Sequence, residues 1–232
     1  FDLMYETVQS ILAKSGHINH KYLKESESDK KAVIVVTANR GLAGGYNSNI
    51  TRMIIDEGFT KENTVVYAVG KKGRELLERK GYEIKADYSE AINDPIYKDA
   101  KEICDDVLSA FADGEVGEIY LAYTVFKNTV VHEPQLIRLL PVEADDAAHE
   151  TDGSEALMTY EPSEEEALDM IIPKYVCSLV YGALIESVAS ENGARMQAMD
   201  SATSNAEEMI STLSLKYNRA RQASITQELT EI

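Results

Sequence analysis

Proline is missing from the last fifty-nine residues, Lys174 to Ile232, and glycine occurs there only at Gly182 and Gly193. These two residue types are the strongest helix breakers, and without them the segment keeps a helical pattern to its end. At 1.5 Å per residue it predicts about 88 Å of rod. A globular domain of this size is only roughly 35–40 Å across. A rod that outruns its domain is costly unless another helix or a partner covers it. The function is therefore expected in mechanical contact rather than in a closed active site.

Positive charge is scarce as well. Lys and Arg total 23 against 40 Asp and Glu, a net charge of −17. That argues against sequence-independent nucleic-acid binding and against docking on an anionic membrane, both of which need basic surface. The excess is uneven: Pro141 to Pro173 carries eleven Asp or Glu and no Lys or Arg. Cysteine is limited to Cys104 and Cys177, neither in a CxxC pair, which predicts buried free thiols in a reducing compartment. No apolar run approaches the roughly 20 residues that span a bilayer, and no signal sequence opens the chain. GxSxG and HExxH do not occur. His17, His20, His132 and His149 lack metal-ligand spacing, and His17 and His20 share a loop where a solvated role is expected. Glu164-Glu165-Glu166 reads as a solvated helix start favoured by the helix dipole.

What is present is an alternation of strands and helices. Phe1, Met4, Val8, Ile11 and Leu12 predict an amphipathic helix over 1–14, expected to be the end of a longer one. Ala32–Thr37 is a β-branched strand buried on both faces. It runs into a glycine-rich loop at 39–47 and a helical pattern through Ile50, Met53 and Ile54. Thr64–Val69 is a second strand, followed by a helix from about Lys72 to Lys80, a weaker strand near Tyr82–Ala86 and a helix over about Pro95–Phe111. Glu118–Phe126 and Val130–Leu140 form a hairpin across Lys127-Asn128-Thr129, and Pro134 places the second strand at a sheet edge. A short strand at Ala156–Tyr160 precedes a capping box, Ser163 with Glu166, that opens a helix kinked at Pro173. The expected class is α/β: a Rossmann-like, mostly parallel sheet plus a long C-terminal helix. The divisions are 1–16, 32–140, 141–160 and 161–232: first helix, α/β domain, acidic loop with its short strand, and long helix.

Val176, Leu179, Val180, Ala183, Leu184 and Val188 make a broad apolar face. Met196, Met199, Ala202, Ala206, Met209 and Leu213 continue it, extended by Tyr217 and Ala220. This is either a coiled-coil seam of small residues or the core helix of a bundle. Length favours the seam, because residues 1–14 supply only about 21 Å of partner helix. The glycine loop is similarly open to two readings. A strand, then Gly41-Leu-Ala-Gly44-Gly45, then a helix resembles a phosphate cradle. Its spacing is neither GxGxxG nor GxxxxGK[ST], so a tight strand-to-helix crossing is the preferred reading. A phosphate- or nucleotide-binding α/β enzyme using this loop remains the alternative. Arg40 beside it is a salt-bridge or interface candidate.

Four segments together resemble one family. TANRGLAGGYNSN (37–49), YEPSEEEALDMIIPKY (160–175), ARMQAMDSATSNA (194–206) and LKYNRARQASITQELTEI (215–232) are similar to the γ subunit of F-type ATP synthase. The likeness covers essentially the whole chain. Asn39 departs from the usual Asp, Ala43 from Cys and Tyr46 from Leu. The family's first ~50 residues, mostly one helix that pairs with the last in an antiparallel coiled coil, are absent from this sequence, as are a few after Ile232.

The resemblance implies a non-catalytic central-stalk rotor without a cofactor. It would couple proton or sodium translocation to ATP synthesis and hydrolysis. Its implied partners are the α and β subunits, the ε subunit and the membrane c-ring, with no nucleic acid and no direct membrane insertion. It would sit at the cytoplasmic face of the bacterial cell membrane as a peripheral protein. Residue by residue, the β contacts fall on Arg195, Gln222, Thr226 and Glu228, and those with ε and the membrane ring on Tyr160 and Glu161. Arg40, Gly41, Gly44 and Gly45 form the structural loop.

Overall fold

The structure is a computed structural model that describes residues 20–23, 28–142 and 164–231. The helix expected over 1–14, His17, His149, the acidic loop, the strand at 156–160, Tyr160, Glu161 and the cap at Ser163 lie outside them. The elements in chain order are β1 (Lys31–Val36), α1 (Tyr46–Asp56), β2 (Thr64–Val69), α2 (Lys71–Arg79) and β3 (Glu83–Asp87). Then follow α3 (Tyr97–Ala112), β4 (Glu118–Phe126), β5 (His132–Leu140) and α4 (Glu164–Thr230).

Five strands make one sheet in the order β3-β2-β1-β4-β5. β1 pairs in parallel with β2 and β4, setting Ile34 opposite Tyr67 on one side and Leu121 on the other. β5 is antiparallel to β4 and forms the edge that Pro134 called for, since proline has no N–H for a second ladder. Strand alternation sorts the core. Ala32, Ile34 and Val36 face Ile103 and Val107 of α3 and Val180 and Leu184 of α4. Val33 and Val35 face Ile50, Ile54 and Leu77 of α1 and α2. Each such aliphatic side chain contributes about 1.5–3 kcal/mol by leaving water.

Helix ends and strand starts shift by one or two residues from expectation, with a physical reason in two places. The hairpin loop runs over 127–131, because the Asn128 side-chain oxygen accepts the N–H groups of Val130 (2.9 Å) and Val131 (2.8 Å) and holds them out of the ladder. α2 begins against the end of β1. Gly73 N donates to Thr37 Oγ1 at 2.9 Å, and at Gly70 (φ +113°) an added Cβ would lie 2.1 Å from the Thr37 carbonyl oxygen. Only glycine fits that corner.

α4 is a single helix of 67 residues that continues through Pro173, about 100 Å long. Its first third is the root. Leu168, Ile172, Val176, Cys177, Val180, Ala183 and Leu184 are buried on α3 and the sheet. Ser190 Oγ also donates to the Thr124 carbonyl at 3.2 Å. From Ser201 onward every described side chain of the helix is exposed. The helix contains an 18-residue window of mean hydropathy 1.5, apolar enough by length and composition to cross a bilayer. This corrects the expectation drawn from apolar runs. The root residues packed on the sheet account for much of that apolarity.

Candidate functional site

Where α4 leaves the domain, the glycine loop and the β4–β5 hairpin close around it. Tyr46, first residue of α1, donates its hydroxyl to the Ser187 carbonyl at 3.0 Å. Burial raises its pKa well above the ordinary phenol range, so it stays protonated and is a permanent donor. Ala38, Ala43 and Tyr46 form a small apolar cluster against Ala194. Gly44 (φ +56°) turns the loop beside the helix, where an added Cβ would sit 4.0 Å from the Ala198 methyl, an ordinary contact. On the other side His132 of the hairpin packs into the notch at Gly193, where an added Cβ would be 2.6 Å from its Cε1. The loop thus seats the helix through Tyr46 and Ala43.

The loop glycines are not equivalent. Gly44 supplies a left-handed turn, and a Cβ on Gly45 would meet the Asn49 amide at 3.1 Å. Gly41 has ordinary φ and open space around it. The second left-handed residue is Leu42 (φ +63°), which is 76% exposed. Its conformation costs on the order of 1–2 kcal/mol. Sequence reasoning missed it, because leucine carries no turn signal.

Asn39, the departure from the family's usual Asp, has a visible role. Its side-chain oxygen accepts Lys71 N at 2.9 Å, while its amide donates to the Ser89 carbonyl at 2.7 Å and to Asn93 Oδ1 at 2.9 Å. A carboxylate could accept the first bond but not donate the others.

Arg40 and Arg195, distant in sequence, line one open cleft of about 360 Å³ with Asn39, Asn93, Glu191 and Asn192. Arg195 is paired with Glu191 one turn earlier and bonds Asn192 Oδ1 at 3.4 Å. Gln222 and Thr226 lie elsewhere, about 40 Å further along the helix axis. Both are exposed, one turn apart, with Thr226 Oγ1 donating to the Gln222 carbonyl at 2.9 Å. Glu228 is on the same stretch of helix, but its side chain is outside the described residues. The seam residues Met196, Met199, Met209, Leu213 and Tyr217 are 49–67% exposed. Among the described residues no group of three or more His, Cys, Asp or Glu could hold a metal ion.

One expectation needs correction. His20 is not solvated: it is 5% exposed, its Nδ1 accepts Tyr22 N at 3.3 Å, and its Nε2 faces Asp169 at 3.2 Å without hydrogen-bond alignment. The segment it belongs to is pinned to the root of α4, where Lys21 also reaches Asp169 at 2.8 Å. The cysteines are free and buried as expected, Cys104 of α3 and Cys177 of α4 within the same apolar cluster.

A family profile described as ATP synthase matches residues 1–232. The ATP synthase gamma chain of Lachnoclostridium phytofermentans is 65% identical over 238 residues, covering 100% of this chain and 82% of that protein. The sodium ion specific ATP synthase gamma chain of Acetobacterium woodii is 41% identical over 248 residues, with 100% and 82% covered. Among solved structures, a chain of the central stalk and c-ring of Tetrahymena thermophila mitochondrial ATP synthase is similar at a TM-score of 0.63. The match covers 85% of this chain and 86% of that one at 23% identity, a likeness that establishes the fold.

Proposed function

The chain belongs to the ATP synthase family, beside relatives named gamma chains, and we propose that it is the central-stalk rotor of an F-type complex. The observation that carries this reading is the shape of α4. Its root is held by α3, the sheet and the glycine loop, while its outer part stands clear of the domain with an apolar stripe uncovered. A helix so anchored transmits torque: force on the outer part reaches the sheet through packed aliphatic side chains and two buried hydrogen bonds, Tyr46 to Ser187 and Ser190 to Thr124. A single exposed helix is too compliant and too apolar to work alone. The stripe Met196–Leu213 is therefore the seam of an antiparallel coiled coil with an N-terminal helix.

In this reading the coiled coil stands in a ring of α and β subunits and offers each β a different face as it turns. Differences in nucleotide affinity among the β subunits follow from that asymmetry, so the chain makes and breaks no covalent bonds. Arg195, Gln222, Thr226 and Glu228 are the proposed β contacts. Arg195 would act with Arg40 at the collar and the others near the tip. Guanidinium groups there suit charge-assisted bonds to carboxylates. Tyr160 and Glu161 are the proposed contacts with ε and the c-ring. The proposed division of labour follows the boundaries 32–140 for the base and 161–232 for the shaft. The location is the cytoplasmic face of the bacterial membrane, and the driving ion is a proton or sodium.

The test is reconstitution with α and β subunits from the same cell. Stimulated, rotating ATPase that requires this chain supports the rotor. Failure of the full-length protein to support it would point to a generic coiled-coil adaptor. Calorimetry with ATP and ADP addresses the alternative of a nucleotide-binding enzyme, which needs tight, saturable binding by the isolated chain.

A further inference from the structure

Arg40 is the exposed cation of the cleft between the glycine loop and α4, and it makes no ion pair or hydrogen bond among the described residues. The second guanidinium of the cleft, Arg195, has a side chain only 19% exposed and is committed to Glu191. Two cations therefore face one carboxylate, and the uncompensated charge is at Arg40.

The amides beside it are oriented by bonds within the cleft. Asn39 accepts Lys71 N at 2.9 Å, and its NH₂ donates to the Ser89 carbonyl at 2.7 Å and to Asn93 Oδ1 at 2.9 Å. That bond occupies the Asn93 oxygen and leaves the exposed Asn93 NH₂ as a donor. Asn192 likewise gives its oxygen to Arg195 at 3.4 Å and keeps an exposed NH₂ to donate. We propose that this cleft binds a small oxyanion of the phosphate class, held on the Arg40 guanidinium with the Asn93 and Asn192 amides as further donors.

A planar guanidinium presents two parallel N–H groups, which match two oxygens of one oxyanion and give a monatomic anion no such advantage. Asn39 keeps the cleft cationic, because a carboxylate at that position would balance Arg40. The net charge of −17 opposes any anion, but at physiological ionic strength that field is screened beyond about 8 Å. The charges lining the cleft therefore decide. An ion bound there needs no partner subunit, so the site stands or falls apart from the rotor reading. Where that reading holds, the ion occupies the guanidinium proposed to act at the β contact, and the two compete.

The test titrates the intact ¹⁵N-labelled chain with inorganic phosphate at neutral pH and constant ionic strength, following the Arg40 Nε–H and the asparagine NH₂ signals by NMR. The expected result is a saturable shift at Arg40, Asn93 and Asn192, half complete at roughly 1–10 mM, that chloride does not reproduce. Arg40→Gln and Asn39→Asp should each weaken binding by about tenfold or more. Arg52→Gln, an exposed arginine on α1 outside the cleft, should leave it unchanged. The proposal is overturned if the shifts grow linearly without saturation or if chloride matches phosphate. It is overturned equally if Arg40→Gln binds as well as the parent chain, or if Arg52→Gln weakens binding as much. Should Asn39→Asp not fold, Arg40→Gln decides, because it alters an exposed side chain that holds nothing in place.

Discussion

Replacing Met209 by Asp separates the shaft from its base. Met209 is 67% exposed and belongs to none of the buried clusters. In the domain the change is therefore a surface substitution worth about 0.5 kcal/mol or less. In the assembled coiled coil the balance differs. Full burial of a methionine side chain is worth about 1.5–3 kcal/mol, so covering its exposed two-thirds contributes roughly 1–2 kcal/mol, and Met209→Asp forfeits that. The aspartate must also be desolvated without a partner, at several kcal/mol more. Together these weaken the seam by about 3–5 kcal/mol, a hundredfold or more in its equilibrium. Near-UV circular dichroism of buried tyrosines such as Tyr67 and Tyr82 reports the base, and ATP-driven ion pumping by the reconstituted complex reports coupling. Val180→Asp is the control, since Val180 is fully buried in the root, and it should damage both signals. The reasoning fails if Met209→Asp lowers the base midpoint as far as Val180→Asp does, or if pumping is untouched.

Gly70→Ala should cost about 3 kcal/mol or more in a denaturant titration, because its Cβ would lie 2.1 Å from a backbone oxygen at φ +113°. Gly41→Ala, with open space, should stay within about 0.5 kcal/mol; the reverse order would refute the loop geometry. Gly193→Ala gains about 1 kcal/mol of helix propensity but drives a methyl to 2.6 Å from His132. It should therefore destabilise alone and stabilise when His132→Ala accompanies it, and simple additivity in that double-mutant cycle would mean the notch is not closed. Asp169 is held below its ordinary 3.8, chiefly by its hydrogen bond from Lys21. A depressed carboxylate stabilises above its unfolded value, and that contribution is lost as pH falls through the folded one. With both side chains half exposed, the effect should be below about 1 kcal/mol. Acid titration of the midpoint below about pH 4 should show a loss that Asp169→Asn removes, and an identical slope in that variant would contradict the pairing.

Much of the base was legible because local rules act on neighbouring residues. The β-branched run Ala32–Val36, the interleaved helical patterns and Pro134 were enough to expect a parallel sheet with an antiparallel edge, and β5 is that edge. Errors at element ends came from side chains that bond to backbone a few residues away, as Asn128 does. The glycine loop was recognised, but the division of work within it was not. Leu42, not Gly41, takes a left-handed conformation, and that choice follows from how the loop is pulled between β1, α1 and α4. The resemblance named Arg195 and Arg40 separately; their sharing of a cleft required coordinates.

Period, charge and the lack of breakers are one-dimensional properties, so the amino-acid order alone decided that a long helix exists, which of its faces is apolar and that an α/β unit precedes it. Contacts between residues far apart in the chain have no such period. The burial of His20 beside Asp169, the gathering of Cys104 and Cys177 into one buried cluster, the seating of Gly193 on His132 and the place where α4 leaves the sheet were all decided by folding. The physical reason is that each depends on where the strand order sets two elements side by side, a matter of packing rather than of local conformational preference.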